Sequence, residues 1–143
     1  RNEYQARGET IKNAELFWES FAIAECPNKY INSPTIVGAQ AANELLNIIG
    51  VKASFVLTKY KGLVYISARA IDEVNVQIIM ERMGGGGHFN IAGCQLKNST
   101  VQEAKDYLKN TLKEMLDRGE ICDESDFIKR CSEPREKRNN CQC

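Results

Sequence analysis

The order of apolar and polar positions predicts helices and strands that alternate along most of the chain. Residues 2–13 are polar and favour a helix, and residues 17–24 have the apolar content of a first strand. From Pro34 to Ile49 the apolar residues recur at helical spacing, with proline at an early position where its missing N–H costs little. Gly50 is expected to end this helix.

The second half of the chain continues the pattern with two strands in sequence. Residues 53–59 and 63–68 are β-rich and flank a short turn, which predicts a hairpin. Residues 75–83 have helical spacing, residues 91–96 favour a strand, and residues 100–115 begin with a capping box and carry one apolar stripe. The predicted fold class is therefore α/β, a single domain with a mixed β-sheet flanked by α-helices.

The chain of 143 residues has room for one ordinary domain with tails. We expect residues 15–120 to form that domain. Residues 1–14 are expected to be a linker or helix leading from a domain upstream, because the sequence starts at Arg1 without a secretory signal pattern. Residues 121–143 are polar, lose the apolar periodicity and are expected to be a weakly ordered tail.

Charge and cysteine content narrow the possible binding partners and the cellular compartment. Lys plus Arg and Asp plus Glu are equal at 19 each, which argues against a grip on duplex nucleic acid. No apolar run is long enough to cross a bilayer. Cys26 and Cys94 lie in core-like patterns, so reduced thiols in the cytoplasm are favoured over a disulfide framework. The remaining cysteines lack the paired spacing of structural zinc sites and lie in the tail: Cys122, Cys131, Cys141 and Cys143.

One predicted strand carries a candidate anion site. Alternation along residues 63–69 sends Tyr65, Ser67 and Arg69 to the same face. A guanidinium matches phosphate oxygens and a hydroxyl adds a donor. The alternative is an exposed sheet face that ends in a solvated arginine.

Four consecutive glycines precede the only histidine of the chain, His88, and form the most unusual segment: Gly84, Gly85, Gly86 and Gly87. Glycines permit a nest of backbone N–H groups close to an anion, and His88 can donate to a phosphate or leaving oxygen. A plain glycine turn with a surface histidine explains the spacing equally well. Asn75 and Gln77 can present amides to a nucleobase edge, although Asn75 can equally cap a helix. Asn90 is either a turn residue or a ligand contact.

A metal centre within this chain is not expected. Hydrolytic metal sites need a cluster of His, Asp, Glu or Cys ligands, and the sequence has one histidine and no paired acidic motif near the glycines.

The motifs Ile66-Ser-Ala-Arg69, Asn75-Val-Gln and Gly84-Gly-Gly-Gly-His88, in this order, resemble the DHH-associated domain of DHH phosphoesterases. Together with Val37-Gly-Ala-Gln and Gly50-Val-Lys-Ala, they are most similar to the GdpP-type cyclic di-AMP phosphodiesterases. The resemblance implies the substrate-binding domain of a manganese-dependent phosphodiesterase. Two manganese ions would be held by an upstream DHH domain, the partner of this domain in the parent chain.

Under that resemblance the substrate-binding residues are Ser67, Arg69, Gly84, Gly85, Gly86, Gly87, His88, Asn75 and Asn90. No catalytic residue is expected in this chain, apart from an assisting role for His88, and the chain alone is expected to be inactive. The domain would be cytoplasmic, in a parent that upstream segments can anchor to the membrane. A homodimer is left open.

Two other functions stay open. The stretch His88-Phe-Asn-Ile-Ala-Gly93 is closer to the form in oligoribonuclease-type relatives, which favours a short-oligonucleotide exonuclease, or nano-RNase, of the same superfamily. The other is a non-catalytic nucleic-acid-binding or dimerisation module, as in related domains of some alanyl-tRNA synthetases, against which the balanced charge argues.

Overall fold

A computed structural model describes residues 2–28, 32–71 and 73–121 of the chain. The helices and strands in chain order are α1 (Asn2–Asn13), β1 (Glu15–Phe17), β2 (Phe21–Cys26), α2 (Pro34–Leu45), β3 (Ala53–Tyr60), β4 (Leu63–Ala70), α3 (Val76–Arg82), β5 (Gly86–Gly87), β6 (Ile91–Lys97) and α4 (Val101–Asp117).

The strands form one six-stranded sheet in the order β1-β2-β3-β4-β6-β5. β2 and β3 are parallel, since α2 connects them, and the other neighbouring pairs are antiparallel. Helices lie on both faces of this mixed sheet. The predicted fold class is confirmed.

Each face of the sheet has its own apolar core. On one face α3 and α4 pack over a large cluster that includes Phe21, Phe55, Ile66, Leu108 and Met115. On the other face α1 and α2 pack over β2 and β3 in a smaller cluster. Among the described residues, none from β4, β5 or β6 belongs to the smaller cluster. The second helical layer therefore leaves part of the β4 and β6 surface open.

Two element boundaries differ from the sequence prediction. Residues 17–24 do not form one strand, because Trp18 and Glu19 adopt positive φ angles of 54° and 68° and reverse the chain between β1 and β2. α2 ends at Leu45 rather than at Ile49, whose side chain is fully exposed. The apolar spacing of residues 46–49 is helical, but only Leu46 packs against the smaller core, while Ile48 and Ile49 are exposed, so a turn replaces the last helical turn.

The ends of the described chain are packed. In α1, Ala6 and Thr10 are buried against α2 and β2, and the Thr10 hydroxyl donates to the Ala6 carbonyl at 2.7 Å. Ile121, the first residue of the expected tail, is 4% exposed and belongs to the larger core. The rest of that tail, with its four cysteines, lies outside the described residues.

The two remaining cysteines, Cys26 and Cys94, are free and buried, in agreement with the reduced state expected for them. Among the helices that the structure describes, none is both long and apolar enough to span a membrane.

The start of α4 generates a stability prediction. The Thr100 side chain accepts from the Glu103 N–H at 3.0 Å, and the Glu103 carboxylate accepts from the Thr100 N–H at 2.9 Å. Thr100→Ala removes half of this capping box and is expected to lower the free energy of unfolding by about 1 kcal/mol. Urea denaturation measures the change. Thr100→Ser keeps the hydroxyl and should retain most of the stability; an equal loss in both variants would contradict the capping role.

Candidate functional site

A cleft of about 680 Å³ opens on the uncovered surface of β4 and β6. The glycine segment, defined as residues 84–87, forms one side, and the amino end of α2 reaches it through Thr35. The residues that line the cleft are Thr35, Tyr65, Ile66, Ser67, Arg69, Gly84, Gly85, Gly86, Gly87, His88, Ile91, Ala92, Gly93, Cys94 and Gln95. The volume lies in the range of small-molecule sites.

The strand register places the cleft residues in three rows across the sheet. β4 pairs with β6 and β6 with β5, so residues directly opposite each other project from the same face. The first row ends in a cation at one side and an imidazole at the other. The rows are Arg69–Ile91–His88, Ser67–Gly93–Gly86 and Tyr65–Gln95.

The hollow in the sheet surface results from the residues of the middle row. Gly93 and Gly86 lie opposite each other and carry no side chain, so beside Ser67 the sheet surface is bare backbone. Gly86 has open space where a Cβ would project. Flanking side chains therefore surround a flat floor on which a ligand can approach the backbone closely.

Arg69 is the principal charge of the cleft. One guanidinium nitrogen, Nη1, donates to the Ala68 carbonyl at 2.9 Å, while the buried Nε has no partner among the described residues. Burial lowers the pKa of the Arg69 guanidinium from its ordinary value, although arginine stays charged at neutral pH. A buried donor without a partner is costly, so an anion that reaches this group would be bound favourably.

Among the described residues, Arg69 has no acidic partner. No carboxylate in the described parts of the chain pairs with it, and none lines the cleft. The 12-residue helix α2 presents its amino end nearby, and the side chain of Ser33 makes no capping hydrogen bond there. A helix amino end carries partial positive charge. The cleft is thus locally positive in a chain whose net formal charge is zero.

At three of the four positions, the backbone conformation or a close neighbour explains why the residue is glycine. Gly84 has a φ of +87°, and Gly87 has a φ of +144° with a virtual Cβ 2.5 Å from the Ala92 Cα. A Cβ on Gly85 would collide with the Gly93 carbonyl oxygen. Gly86 alone of the four has neither a positive φ nor a close neighbour. The fold does not require glycine at position 86, whereas a ligand in the cleft would require the space that a side chain there would fill.

The glycine pattern predicted a nest of free backbone N–H groups, but three of the N–H groups in this segment are already used in hydrogen bonds within the chain. The N–H groups of Gly84, Gly85 and His88 donate to the carbonyls of Glu81, Met80 and Ile91 at 3.0, 2.8 and 2.7 Å. The segment pairs with β6 as an edge strand instead, because glycine allows so close a pairing. The contact surface for an anion is therefore made mainly by side chains and the open Gly86 backbone.

The structure brings Ser67, Arg69, the glycine segment and His88 to one cleft, but not Asn75 or Asn90. The Asn75 side chain caps α3 by accepting from the N–H groups of Gln77 and Ile78 at 3.0 and 3.3 Å. The Asn90 amide donates to the Ala70 carbonyl at 3.0 Å. Both have structural roles outside the cleft lining, and a substrate contact by either stays an untested prediction.

Sequence reasoning did not single out Thr35, Ile91, Gly93 and Gln95 as cleft residues. Alternation along β6 groups Ile91, Gly93 and Gln95 on one face, but pairing with β4 was needed to show that this face adjoins Arg69. Thr35 lies far in sequence from β4 and β6, and no local pattern indicated that it would line the cleft.

The cleft offers little for nucleophilic or metal chemistry of its own. Burial raises the pKa of the Cys94 thiol to about 11, which keeps it protonated and unreactive at neutral pH. Within residues 2–28, 32–71 and 73–121 there is no group of three or more His, Cys, Asp or Glu side chains arranged to hold a metal ion. What the arrangement can do is bind and neutralise an anion.

The different surroundings of two glycines predict that the same substitution destabilises the fold at one position and not at the other. Gly85→Ala forces β5 away from β6 and is expected to lower the free energy of unfolding by about 1–3 kcal/mol. Gly86→Ala places its methyl group in open space and should change stability by less than about 0.5 kcal/mol. Chemical denaturation of the two variants measures this. Similar losses in both would show that Gly86 is held as tightly as Gly85.

Comparison with known proteins agrees with this architecture. A family model described as the DHHA1 domain matches residues 20–116. The cyclic-di-AMP phosphodiesterase GdpP of Geobacillus thermodenitrificans is 40% identical over 117 residues, which are 81% of this chain and 18% of that protein. The cyclic-di-AMP phosphodiesterase PdeA of Listeria monocytogenes is 40% identical over 106 residues, covering 73% of this chain and 16% of that protein.

A solved structure shows the same fold. The crystal structure of an exopolyphosphatase-related protein from Bacteroides fragilis superposes with a TM-score of 0.69 at 18% identity, covering 80% of this chain and 35% of that chain. The chain spans less than a fifth of the length of the two cyclic-di-AMP phosphodiesterases. The family model and the two relatives show, as the sequence motifs predicted, that this chain belongs to the DHHA1 domain family and is homologous to the GdpP-type cyclic di-AMP phosphodiesterases.

Proposed function

We propose that this chain is the substrate-binding domain of a phosphodiesterase that hydrolyses cyclic di-AMP, and that the cleft binds the phosphate of the nucleotide. The observation that carries the proposal is Arg69, a half-buried cation whose Nε lacks a partner among the described residues, in a cleft without a lining carboxylate. A phosphodiester is the anion that suits a guanidinium fork in a cleft of nucleotide size.

The relatives supply the substrate class. Two proteins that are 40% identical to most of this chain are named cyclic-di-AMP phosphodiesterases. Because this chain spans so little of their length, hydrolysis is assigned to a parent protein and not to this domain alone.

Each cleft residue has a separate task in the proposed complex. The Arg69 guanidinium neutralises a phosphate oxygen, and the Ser67 hydroxyl, one row away on the same strand, donates a hydrogen bond. His88 stands at the other end of the first row and can donate to the opposite side of the same phosphate. Gly86 lets the phosphate lie against the floor.

Manganese, if the parent uses it, would belong to a preceding DHH domain. The described residues of this chain offer no cluster of metal ligands, so no step of the reaction is assigned to a metal here. The contribution of this chain is to hold the substrate and to balance its charge.

Loss of the cation should weaken binding far more than it weakens folding. Arg69→Ala removes one charge-assisted contact, about 1.5–3 kcal/mol, and should raise the Kd for cyclic di-AMP roughly 10- to 150-fold. Isothermal titration of the chain with cyclic di-AMP measures the affinity. Arg118→Ala is the matched control, because it removes the same charge from an exposed position at the end of α4.

Unchanged affinity in Arg69→Ala would contradict the phosphate role. The same titration with the linear dinucleotide pApA separates the two substrate classes. Tighter binding of the linear dinucleotide would favour the oligonucleotide exonuclease over the cyclic dinucleotide hydrolase.

Gly86→Val tests the floor of the cleft without disturbing the core. The valine side chain would project into open space above Gly93 and occupy the position proposed for the phosphate. We expect at least a tenfold rise in the Kd for cyclic di-AMP with an unchanged melting temperature. Wild-type affinity in this variant would place the ligand elsewhere.

A further inference from the structure

The third row of the cleft is chemically unlike the other two. Tyr65 and Gln95 lie directly opposite each other on β4 and β6, and both line the cleft. Tyr65 is four residues along β4 from Arg69, a separation of roughly 13 Å. An aromatic ring and an amide therefore mark the end of the cleft away from Arg69.

The Tyr65 ring contacts a second aromatic ring on the neighbouring strand. The Tyr60 ring lies 6.3 Å from it between centroids at an interplanar angle of 50°, and the Lys61 ammonium stands 5.3 Å from the Tyr60 ring centroid. Aromatic pairs of this kind contribute more than the area they bury. A buttressed, half-exposed tyrosine offers a ring face to a flat ligand at little cost in side-chain freedom.

The Gln95 side chain is exposed and makes no hydrogen bond with any residue that the structure describes. Its amide offers one donor and one acceptor side by side. Adenine presents the complementary pair at N7 and N6, whereas guanine presents two acceptors at N7 and O6. A glutamine at this position therefore distinguishes the two purines.

We propose that Tyr65 and Gln95 form a nucleobase subsite that selects adenine, with the base stacked on Tyr65 and its N6 and N7 edge bonded to Gln95. Ser67 in the middle row is two residues, roughly 7 Å, from Tyr65, a gap that one ribose can bridge. The inference rests on the proposed function, because it takes the Arg69 end of the cleft to hold the phosphate of the same nucleotide.

The test compares three small probes on the full chain, AMP, GMP and ribose 5-phosphate, by NMR titration. The amide signals of Arg69 and His88 report the phosphate end, and those of Tyr65 and Gln95 report the base end. AMP is expected to bind roughly 5- to 150-fold more tightly than ribose 5-phosphate, the effect of one stacked base. It is also expected to bind at least 5-fold more tightly than GMP.

Substitutions assign these differences to the two residues. Tyr65→Ala should reduce AMP affinity most of the way to that of ribose 5-phosphate, whose own affinity should not change, and Tyr65→Phe should keep AMP binding. Gln95→Ala should abolish the preference for AMP over GMP. Tyr107→Ala and Gln102→Ala are the controls, because both side chains are exposed on α4.

The outcomes separate the two proposals. Equal affinity for AMP and ribose 5-phosphate in the unsubstituted chain, with shifts only at Arg69 and His88, would overturn the base subsite and leave the phosphate site standing. Equal affinity for AMP and GMP would overturn the role of Gln95. Shifts at neither end with any probe would overturn the proposed function, and the base subsite with it.

Discussion

The antiparallel register between β4 and β6 is the constraint on which the cleft depends. It sets Arg69 opposite Ile91, Ser67 opposite Gly93 and Tyr65 opposite Gln95. A slip of one residue would turn Arg69 into the core of α3 and α4 and would expose Ala68 and Ile66. The buried apolar face of β4 prevents that slip, so the packing of the core also fixes the position of the functional side chains.

The glycines extend this register to the edge of the sheet. Gly85 and Gly87 approach β6 so closely that a side chain at either would collide with it, which lets the short strand β5 bring His88 beside the cleft. With Gly93 and Gly86 facing each other, the sheet surface is lowered where Arg69 and Ser67 project. A Cβ on Gly93 would also lie 2.7 Å from the Ile66 carbonyl oxygen, so glycine serves close approach at Gly85, Gly87 and Gly93 and leaves open space at Gly86.

Much of this architecture could be predicted from the sequence, because its local signals agree with the final packing. Strand alternation predicted the shared face of Ser67 and Arg69, and the capping box predicted the start of α4. The split between β1 and β2 could not be predicted, since it depends on positive φ angles at Trp18 and Glu19, residue types that seldom adopt them. The contribution of Gln95 and Thr35 depended on strand pairing and on the placement of α2, which no local pattern contains.

The combination of charge and burial at Arg69 makes the cleft suited to an anion. A chain with balanced charge overall keeps one partly buried arginine whose Nε lacks a partner among the described residues, in a hollow lined by no carboxylate. In a low-dielectric hollow such a charge attracts an anion more strongly than it would at an exposed site. The burial of Arg69 is also the cause of its partial desolvation, which lowers its pKa.

The most direct measurement is a map of amide chemical shifts in the ¹⁵N-labelled chain during titration with cyclic di-AMP. The account predicts that the largest changes cluster on the cleft face of β4, β5 and β6, around Ser67, Arg69, Gly86 and His88, and leave α3 and α4 unchanged. Changes centred on the α3 and α4 face, or no change at saturating ligand, would contradict it.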